Sequence, residues 1–496
     1  MKCRIAPLLT LLAALAAGGG PAAAAALPVE ELVLDNGMRF LLLPRPGMPT
    51  VEAGWVVDAG SAADGEGAAG AHHLIEHMMF KGSRTIGAVD LESELYVLGR
   101  LDEVAARLAA LRPPGERRKD DLRRAELEAE RRRLRGRARE LTRLGAFSFE
   151  YSRAGATRLD ANTAEDMTLY YVTLPAEKVE LWFWLESDRL GAPVFRELEP
   201  EKGVIAEERR LRVASTPTGA ADEAFDRAFW RGTPYAGSAL GRDAELAGMD
   251  RPRLRRLFER EYRPERLTAV LVGAFDPAAV RRLAPAYFGR LPRAAAEDVR
   301  GEPPVAPDRR AEERLHLECE CAAQVVIRYP TVPFGHPDQF DLQALAGLLN
   351  GRAGRLHREL VLGREIAFAA FAQQLPLRRA GAFTVRLEAK GGTPLAELVA
   401  AWDGEVARLT AAPPPADELR RAQRRLATEH LELLKDPHFL MRRLLVYAGL
   451  GDWRPLARWP ELVAATAPAD VQAAAGRYLR PERRLVGFYE PAAEAP

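Results

Sequence analysis

The segment Ala71-His72-His73-Leu74-Ile75-Glu76-His77-Met78-Met79-Phe80 sets two imidazoles four residues apart with a carboxylate between them. On a helix His73 and His77 project from one face, and imidazoles so placed bind a single Zn²⁺ at about 2.0–2.1 Å each. Glu76 stands beside them, where a carboxylate can take a proton and return it. A second register, His72 with Glu76, has the same i, i+4 spacing and stays open, as does a pair of core or surface histidines. A catalytic zinc keeps three protein ligands and an open position for water, so a carboxylate from a separate element is needed. Glu201-Lys202-Gly203-Val204-Ile205-Ala206-Glu207-Glu208 offers two, because Glu201 and Glu208 are seven residues apart and share a helix face. Glu207 with Arg209 and Arg210 reads as the solvent side of a surface acidic helix, the competing reading of this stretch.

Elements must hold these groups. The glycine-containing loop from Gly65 to Gly70 precedes the histidine helix, and Leu74, Ile75, Met78 and Met79 anchor its other face. Strand-like runs such as Phe40–Leu43, Thr50–Val57 and Phe383–Leu387 alternate with helical patterns such as Leu174–Leu190 and Ala416–Leu434, which predicts mixed α/β layers. A repeat is visible as well. Tyr262-Arg263-Pro264-Glu265-Arg266-Leu267 leads into the apolar run Thr268–Gly273, and Tyr478-Leu479-Arg480-Pro481-Glu482-Arg483-Arg484-Leu485 leads into Val486–Tyr489, about 217 residues later. Each copy follows a helical pattern that starts at a proline, Pro252–Glu261 and Pro468–Tyr478. Two related units follow, at residues 27–289 and 315–496, with the Pro-, Arg- and Glu-rich stretch 290–314 as an exposed linker. Residues 98–144 form an insert in the first unit. Pro113-Pro114-Gly115 splits it, and residues 116–140 carry 11 basic and 7 acidic side chains on good helix formers, which predicts a helical hairpin with a solvated second arm.

The chain has 496 residues, 71 of them basic and 70 acidic, for a net charge of +1, so no global field calls for nucleic acid. Residues 1–26 read as a cleaved secretory signal: a basic start, an apolar run from Ile5 to Ala17, and small residues Ala22–Ala26. Gly18-Gly19-Gly20-Pro21 interrupts that run too early for a membrane span, and no later window is long enough for one, so the mature chain is expected to be exported, periplasmic or secreted. Beyond Cys3 there remain Cys319 and Cys321, read as two buried thiols on a core strand within Leu315–Arg328. Two residues on one face of a strand are poorly placed for a disulfide, though His316 nearby makes a metal site conceivable.

The His-x-x-Glu-His order at 73–77 is the inverzincin signature, and with the apolar pair and Phe80-Lys81-Gly82 that follow it the chain resembles the insulinase/pitrilysin family of zinc metallopeptidases, in particular its short bacterial members. The resemblance covers most of the chain outside the insert. It implies an α+β fold of two homologous domains, each a largely antiparallel sheet packed with helices, enclosing a cleft. It implies one Zn²⁺ per chain on His73, His77 and Glu208, Glu76 as general base, and Glu201 as the carboxylate that orients a ligand histidine. Asp160-Ala161-Asn162-Thr163 resembles the strand that lines the family's substrate cleft, with Asp160 where Asn is usual, so a peptide or polypeptide would add a strand there. The implied activity is zinc-dependent endopeptidase.

The second unit departs from that pattern. Self-sufficient family members contribute from it an Arg and, seven residues later, a Tyr that hold the substrate backbone and stabilise the oxyanion. Across Leu356–Phe371 the corresponding places hold Val361 and Phe368, with Arg358 and Arg364 as nearby substitutes. Losing an oxyanion donor costs on the order of 10² to 10³ in rate, so the chain alone is expected to be a poor enzyme. The resemblance then implies a zinc-bearing partner that pairs with a homologous chain or a second copy, the competing readings being a non-catalytic scaffold or a peptide-binding clamp of the same fold.

Overall fold

The computed structural model describes residues 27–293, 303–307 and 309–492; the expected signal at 1–26 lies outside the described residues. Two sheets organise the chain. The first has strands β1 (Glu30–Val33), β2 (Arg39–Pro44), β3 (Thr50–Val57), β4 (Thr157–Thr163), β5 (Thr168–Pro175) and β6 (Leu267–Gly273), in the order β1-β2-β6-β3-β5-β4. The second has β7 (Glu313–Cys319), β8 (Gln324–Thr331), β9 (Ala367–Pro376), β10 (Gly381–Ala389) and β11 (Leu485–Pro491), in the order β7-β11-β8-β10-β9.

The repeat seen in the sequence is a repeat of topology. In the first sheet β2 runs parallel to β6, and β6-β3, β3-β5 and β5-β4 are antiparallel. In the second, β7 runs parallel to β11, and β11-β8, β8-β10 and β10-β9 are antiparallel. The strands correspond one to one, with β1 as an extra edge on the first sheet. Both Arg-Pro-Glu-Arg copies form a short 3-10 turn that feeds the later strand of the parallel pair, β6 or β11.

In the first half the helices are α1 (Ala71–Met78), α2 (Leu91–Ala109), α3 (Arg118–Leu141), α4 (Ala146–Arg153), α5 (Val179–Gly191), α6 (Leu198–Arg209), α7 (Gly219–Phe229), α8 (Asp243–Ala247), α9 (Arg251–Glu261) and α10 (Pro277–Phe288). The second half adds α11 (Asp338–Leu349), α12 (Leu395–Ala411), α13 (Ala416–Lys435), α14 (Pro437–Leu450), α15 (Arg454–Ala464) and α16 (Pro468–Tyr478). Among the described residues no helix is long and apolar enough to cross a membrane.

The inner strands of each sheet are buried on both faces, which is why runs such as Phe40-Leu41-Leu42-Leu43 are continuously apolar rather than alternating. One face of the first sheet, with Phe40, Leu42, Trp55 and Leu271, packs on helices of its own half; one face of the second, with Val325, Ile327, Phe383 and Val486, does likewise. The other faces are covered by exchange. Leu440, Met441, Leu444 and Leu445 of α14 lie on Leu41, Leu43, Val56 and Val270 of the first sheet. Phe225 and Phe229 of α7 lie on Val326, Leu485 and Tyr489 of the second. A glycine permits the close approach on each side: a methyl group at Gly54 in β3 would stand 2.9 Å from Leu445, and one at Gly487 in β11 would stand 2.7 Å from Phe225. Arg378, in the β9–β10 turn, fastens the halves by donating to the carbonyls of Asp58 (2.7 Å), Asp166 (2.8 Å) and Gly449 (2.6 Å).

Several expectations are corrected. Cys319 and Cys321 form a disulfide, with Cα atoms 5.2 Å apart. Residues two apart within a strand are separated by about 6.6 Å; here β7 ends at Cys319 and the chain turns, so Cys321 is off the strand. Leu315–Arg328 is accordingly two strands, not one. The helical pattern assigned to Leu174–Leu190 begins at Val179, because Leu174 and Pro175 still pair in β5 with Val51 and Thr50. The hairpin's first helix begins at Leu91, ahead of the expected residue 98, where the Asp90 carboxylate caps it by accepting from the Glu92 and Ser93 amides. Within the stretch expected to be an exposed linker, Arg309 is buried and donates to the carbonyls of Ala228 (2.6 Å) and Phe229 (3.2 Å) at the end of α7.

Because each sheet is completed by the other half's helix, Phe225→Ala should cost about 3–5 kcal/mol and Leu444→Ala about 2–5 kcal/mol. In urea both variants should still unfold in one transition; two separated transitions would contradict reciprocal covering.

Candidate active site

The helix α1 starts under control of Asp64. Its carboxylate accepts from the Gly70 amide (2.7 Å) and the His72 amide (2.9 Å), satisfying donors that the first turn cannot pair internally, and it also holds His72 Nδ1 (2.6 Å). Gly70 adopts φ +88°, and a side chain there would strike Gly241. His72 is fully buried against Asp64, so the register that joins it to Glu76 is not the one the fold uses. Leu74, Ile75, Met78 and Met79 sink into the first core and turn His73 and His77 the other way, toward α6.

The two imidazoles and Glu208 converge. Glu208 Oε2 lies 3.6 Å from His73 Nε2 and 3.4 Å from His77 Nε2, and its Oε1 is held by Arg212 at 3.0 Å. Donors at the corners of a tetrahedron about 2.0–2.1 Å from a zinc ion stand about 3.4 Å apart, so this set fits the ion. Among the described residues these three form the one group whose donor atoms all lie within 4.8 Å of one another. Glu201 Oε2 accepts from His77 Nδ1 at 3.1 Å, and its Oε1 pairs with Lys81 Nζ at 2.6 Å. With Nδ1 donating to Glu201, His77 turns its Nε2 lone pair toward Glu208, the tautomer a metal requires. His73 has no such support: its Nδ1 is buried without a partner.

Glu76 is buried beside them and accepts from the Thr163 hydroxyl. Burial pushes its carboxyl up to about 7, against the pull of Thr163 and His77. Burial likewise drives His73 down to about 3, helped by the charges of His77 and Arg212. At His77 burial acts in the same direction but is outweighed by the Glu201 hydrogen bond and the neighbouring carboxylates, which raise it. Glu201 is lowered: burial opposes this, and the hydrogen bonds from His77 and Lys81 prevail.

Asp160, Ala161, Asn162 and Thr163 lie on β4, the edge strand of the first sheet next to α1, paired with Tyr171, Tyr170, Leu169 and Thr168. Asp160 accepts from the Tyr171 hydroxyl at 3.1 Å. On the second half, Val361 is partly buried against its core and Phe368 is 70% exposed. Arg358 is bound to Glu418 and Arg364 to Glu397, so neither guanidinium is free to stand in for an absent one.

Sequence reasoning missed Asp64, Lys81 and Arg212. Asp64 left a faint signal as an acid ahead of a helix start; the other two become visible only once α1 and α6 are side by side. It also missed Arg196 and Glu94, a fully buried pair (2.8 Å) that clamps the chain leaving α1. Arg196 donates to the carbonyls of Lys81 (2.7 Å), Ser83 (2.9 Å) and Ile86 (2.9 Å). Removing one partner of a buried pair strands the other charge, so Glu94→Ala should destabilise by about 3–5 kcal/mol in urea unfolding. A change below 1 kcal/mol would show that the clamp does not hold this segment.

The family model described as "Insulinase (Peptidase family M16)" matches residues 39–103, and the one described as "Peptidase M16 inactive domain" matches residues 248–426. "Zinc protease PqqE" of Helicobacter pylori is 23% identical over 376 residues, spanning 74% of this chain and 70% of that one. The crystal structure of a protease from Helicobacter pylori superposes with a TM-score of 0.76 at 18% identity, covering 94% of this chain and all of that one. The periplasmic protease PqqL from Escherichia coli gives a TM-score of 0.68 at 18% identity, with 94% of this chain matching 48% of PqqL.

Proposed function

Because the chain belongs to the insulinase family, Peptidase family M16, we propose that it is a zinc-dependent endopeptidase acting on peptides or unfolded polypeptide segments, and that it is the zinc-bearing member of a pair with a homologous chain. The observation that carries this reading is the convergence of His73 Nε2, His77 Nε2 and Glu208 Oε2, with Glu76 adjacent. These three atoms would hold one zinc ion. When bound there, the ion supplies Lewis acidity, which acidifies water and polarises a peptide carbonyl. Glu201 keeps His77 in the ligating tautomer, and Lys81 keeps Glu201 ionised. Glu76 accepts a proton from the attacking water on a carboxylate oxygen and delivers it to the leaving amine, while Thr163 fixes the orientation of that carboxyl. The free edge of β4 at Asp160–Thr163 suits a substrate bound as an added strand.

Pairing is supported from two sides. PqqL is about twice the length this chain matches, leaving room in it for a second unit. On this chain Phe368, Phe371 and Leu375 stand exposed along the edge strand β9, with Leu362 nearby, an apolar edge that a lone soluble chain does not need. Export to the periplasm is supported by the basic and apolar N-terminal residues and by the fold shared with a periplasmic protease.

Glu76→Gln should keep zinc yet lose peptide hydrolysis by about 10²–10⁴-fold, while Glu201→Gln should weaken zinc binding about 10–100-fold in chelator competition. If Glu76→Gln hydrolyses peptides like the parent, the assigned base is wrong. Adding a homologous chain that carries the missing Arg and Tyr should raise kcat/KM by on the order of 10²–10³; full activity of the chain alone would sink the pairing.

A further inference from the structure

The helical hairpin α2–α3 is closed at its far end and open near the body of the protein. Val104 and Leu108 of α2 meet Leu127 of α3 in a small core of their own. Toward the body, a cavity of about 510 Å³ lies between the hairpin and the first turn of α6. That volume falls within the range of small-molecule sites. Its wall is mostly apolar, built from Leu98, Leu101, Ala105, Leu144 and Leu198, and Leu144 is 57% exposed beside it.

The polar part of the lining is uneven. Arg131, Arg135 and Arg139 recur every four residues along one face of α3, and all three line the cavity. Arg135 pairs with Glu199 (2.7 Å). Arg131 and Arg139 have no ion-pair or hydrogen-bond partner for their side chains among the described residues. The Nε atoms of Arg131 and Arg135 are buried and unpaired, a state that folded proteins rarely leave uncompensated. Of the acids in the lining, Asp102 is bound to Arg251, Glu199 to Arg135, and Asp250 caps α9 by accepting from the Arg253 amide. Among the described residues Glu197 alone is uncommitted, against the guanidiniums of the partly buried Arg131 and the exposed Arg139.

An apolar chamber with surplus arginine donors at one side is complementary to one chemistry. We propose that this cavity binds an amphipathic monoanion, a carboxylate with an aliphatic tail, whose tail lies on Leu98, Leu101 and Leu198 and whose carboxylate is gripped by Arg131, with Arg139 adding positive charge along the same face. A guanidinium fork matches a carboxylate with two parallel hydrogen bonds. The site lies at the start of α6, whereas Glu208 is near the end of that helix, and its proposal stands independently of the zinc chemistry. It does touch the same helix: Glu199 and Pro200 line the cavity, and Glu201, which holds His77, is the next residue.

The test uses sodium decanoate below its micelle concentration, titrated onto the full chain and followed by ligand-observed NMR. One saturable site is expected, with acetate binding at least tenfold more weakly. The Arg131→Ala/Arg139→Ala double variant should weaken decanoate binding tenfold or more, and its fold should persist because neither side chain has a partner among the described residues to lose. Arg132→Ala/Arg133→Ala, which removes two charges from α3 outside the cavity lining, should leave binding unchanged, and Leu101→Gln should weaken it from the apolar side. Absence of saturable decanoate binding, equal losses in the two arginine double variants, or acetate binding as well as decanoate would each overturn the proposal.

Discussion

Everything in this molecule depends on one packing constraint: each sheet has two apolar faces and each half supplies helices for only one of them. The remaining face is closed by a helix lent from the other half, α14 onto the first sheet and α7 onto the second. Burial of apolar area is the dominant favourable contribution to folding, so the halves cannot be separated without exposing the second face of both sheets. Gly54 and Gly487 mark where the borrowed helices come closest, and the Arg378 guanidinium seals the seam with three carbonyls. The strands next to the site are thereby held from both sides, and β4 and α1 inherit a rigid base.

On that base the site is assembled from two helices of different character. The helix α1 is pinned by an apolar face below and by Asp64 at its start. The helix α6 sinks only Leu198 and Ile205 into the same core and is otherwise placed by polar contacts: Glu201 to His77 and Lys81, and Arg209 to Glu223 of α7 (2.6 Å). One physical cause, desolvation, acts on both titrating partners at the centre, raising the Glu76 carboxyl and lowering the His73 imidazole. It favours uncharged groups in the pocket, and a dication held by His73, His77 and Glu208 would reverse the local balance by its own charge.

What could be read from the sequence was what local chemistry and periodicity determine. The strand Thr50–Val57 was bounded correctly because its apolar run is flanked by Pro49 and Asp58. The duplicated topology was announced by the two Arg-Pro-Glu-Arg turns; helical spacing put His73 with His77 and Glu201 with Glu208 on single faces, and that the two pairs meet came only from the family resemblance. The failures share a cause. Pro175 ends a strand that a hydrophobic period carries on into α5, and only its pairing with Thr50 reveals this. The Cys319–Cys321 bond depends on where β7 stops. The surroundings of Arg196, Lys81 and Arg212 are set by elements remote in the chain, which no window of sequence contains.

We propose that His73, His77 and Glu208 form a single metal centre with no sulfur in it. Zinc K-edge X-ray absorption on the purified full chain addresses it directly. One tightly bound zinc per chain is expected, with a nitrogen and oxygen shell at about 2.0–2.1 Å and the multiple-scattering signature of two imidazoles. A sulfur shell at about 2.3 Å, pointing to Cys319 and Cys321, or a spectrum unchanged when Glu208 and His77 are replaced, would contradict it.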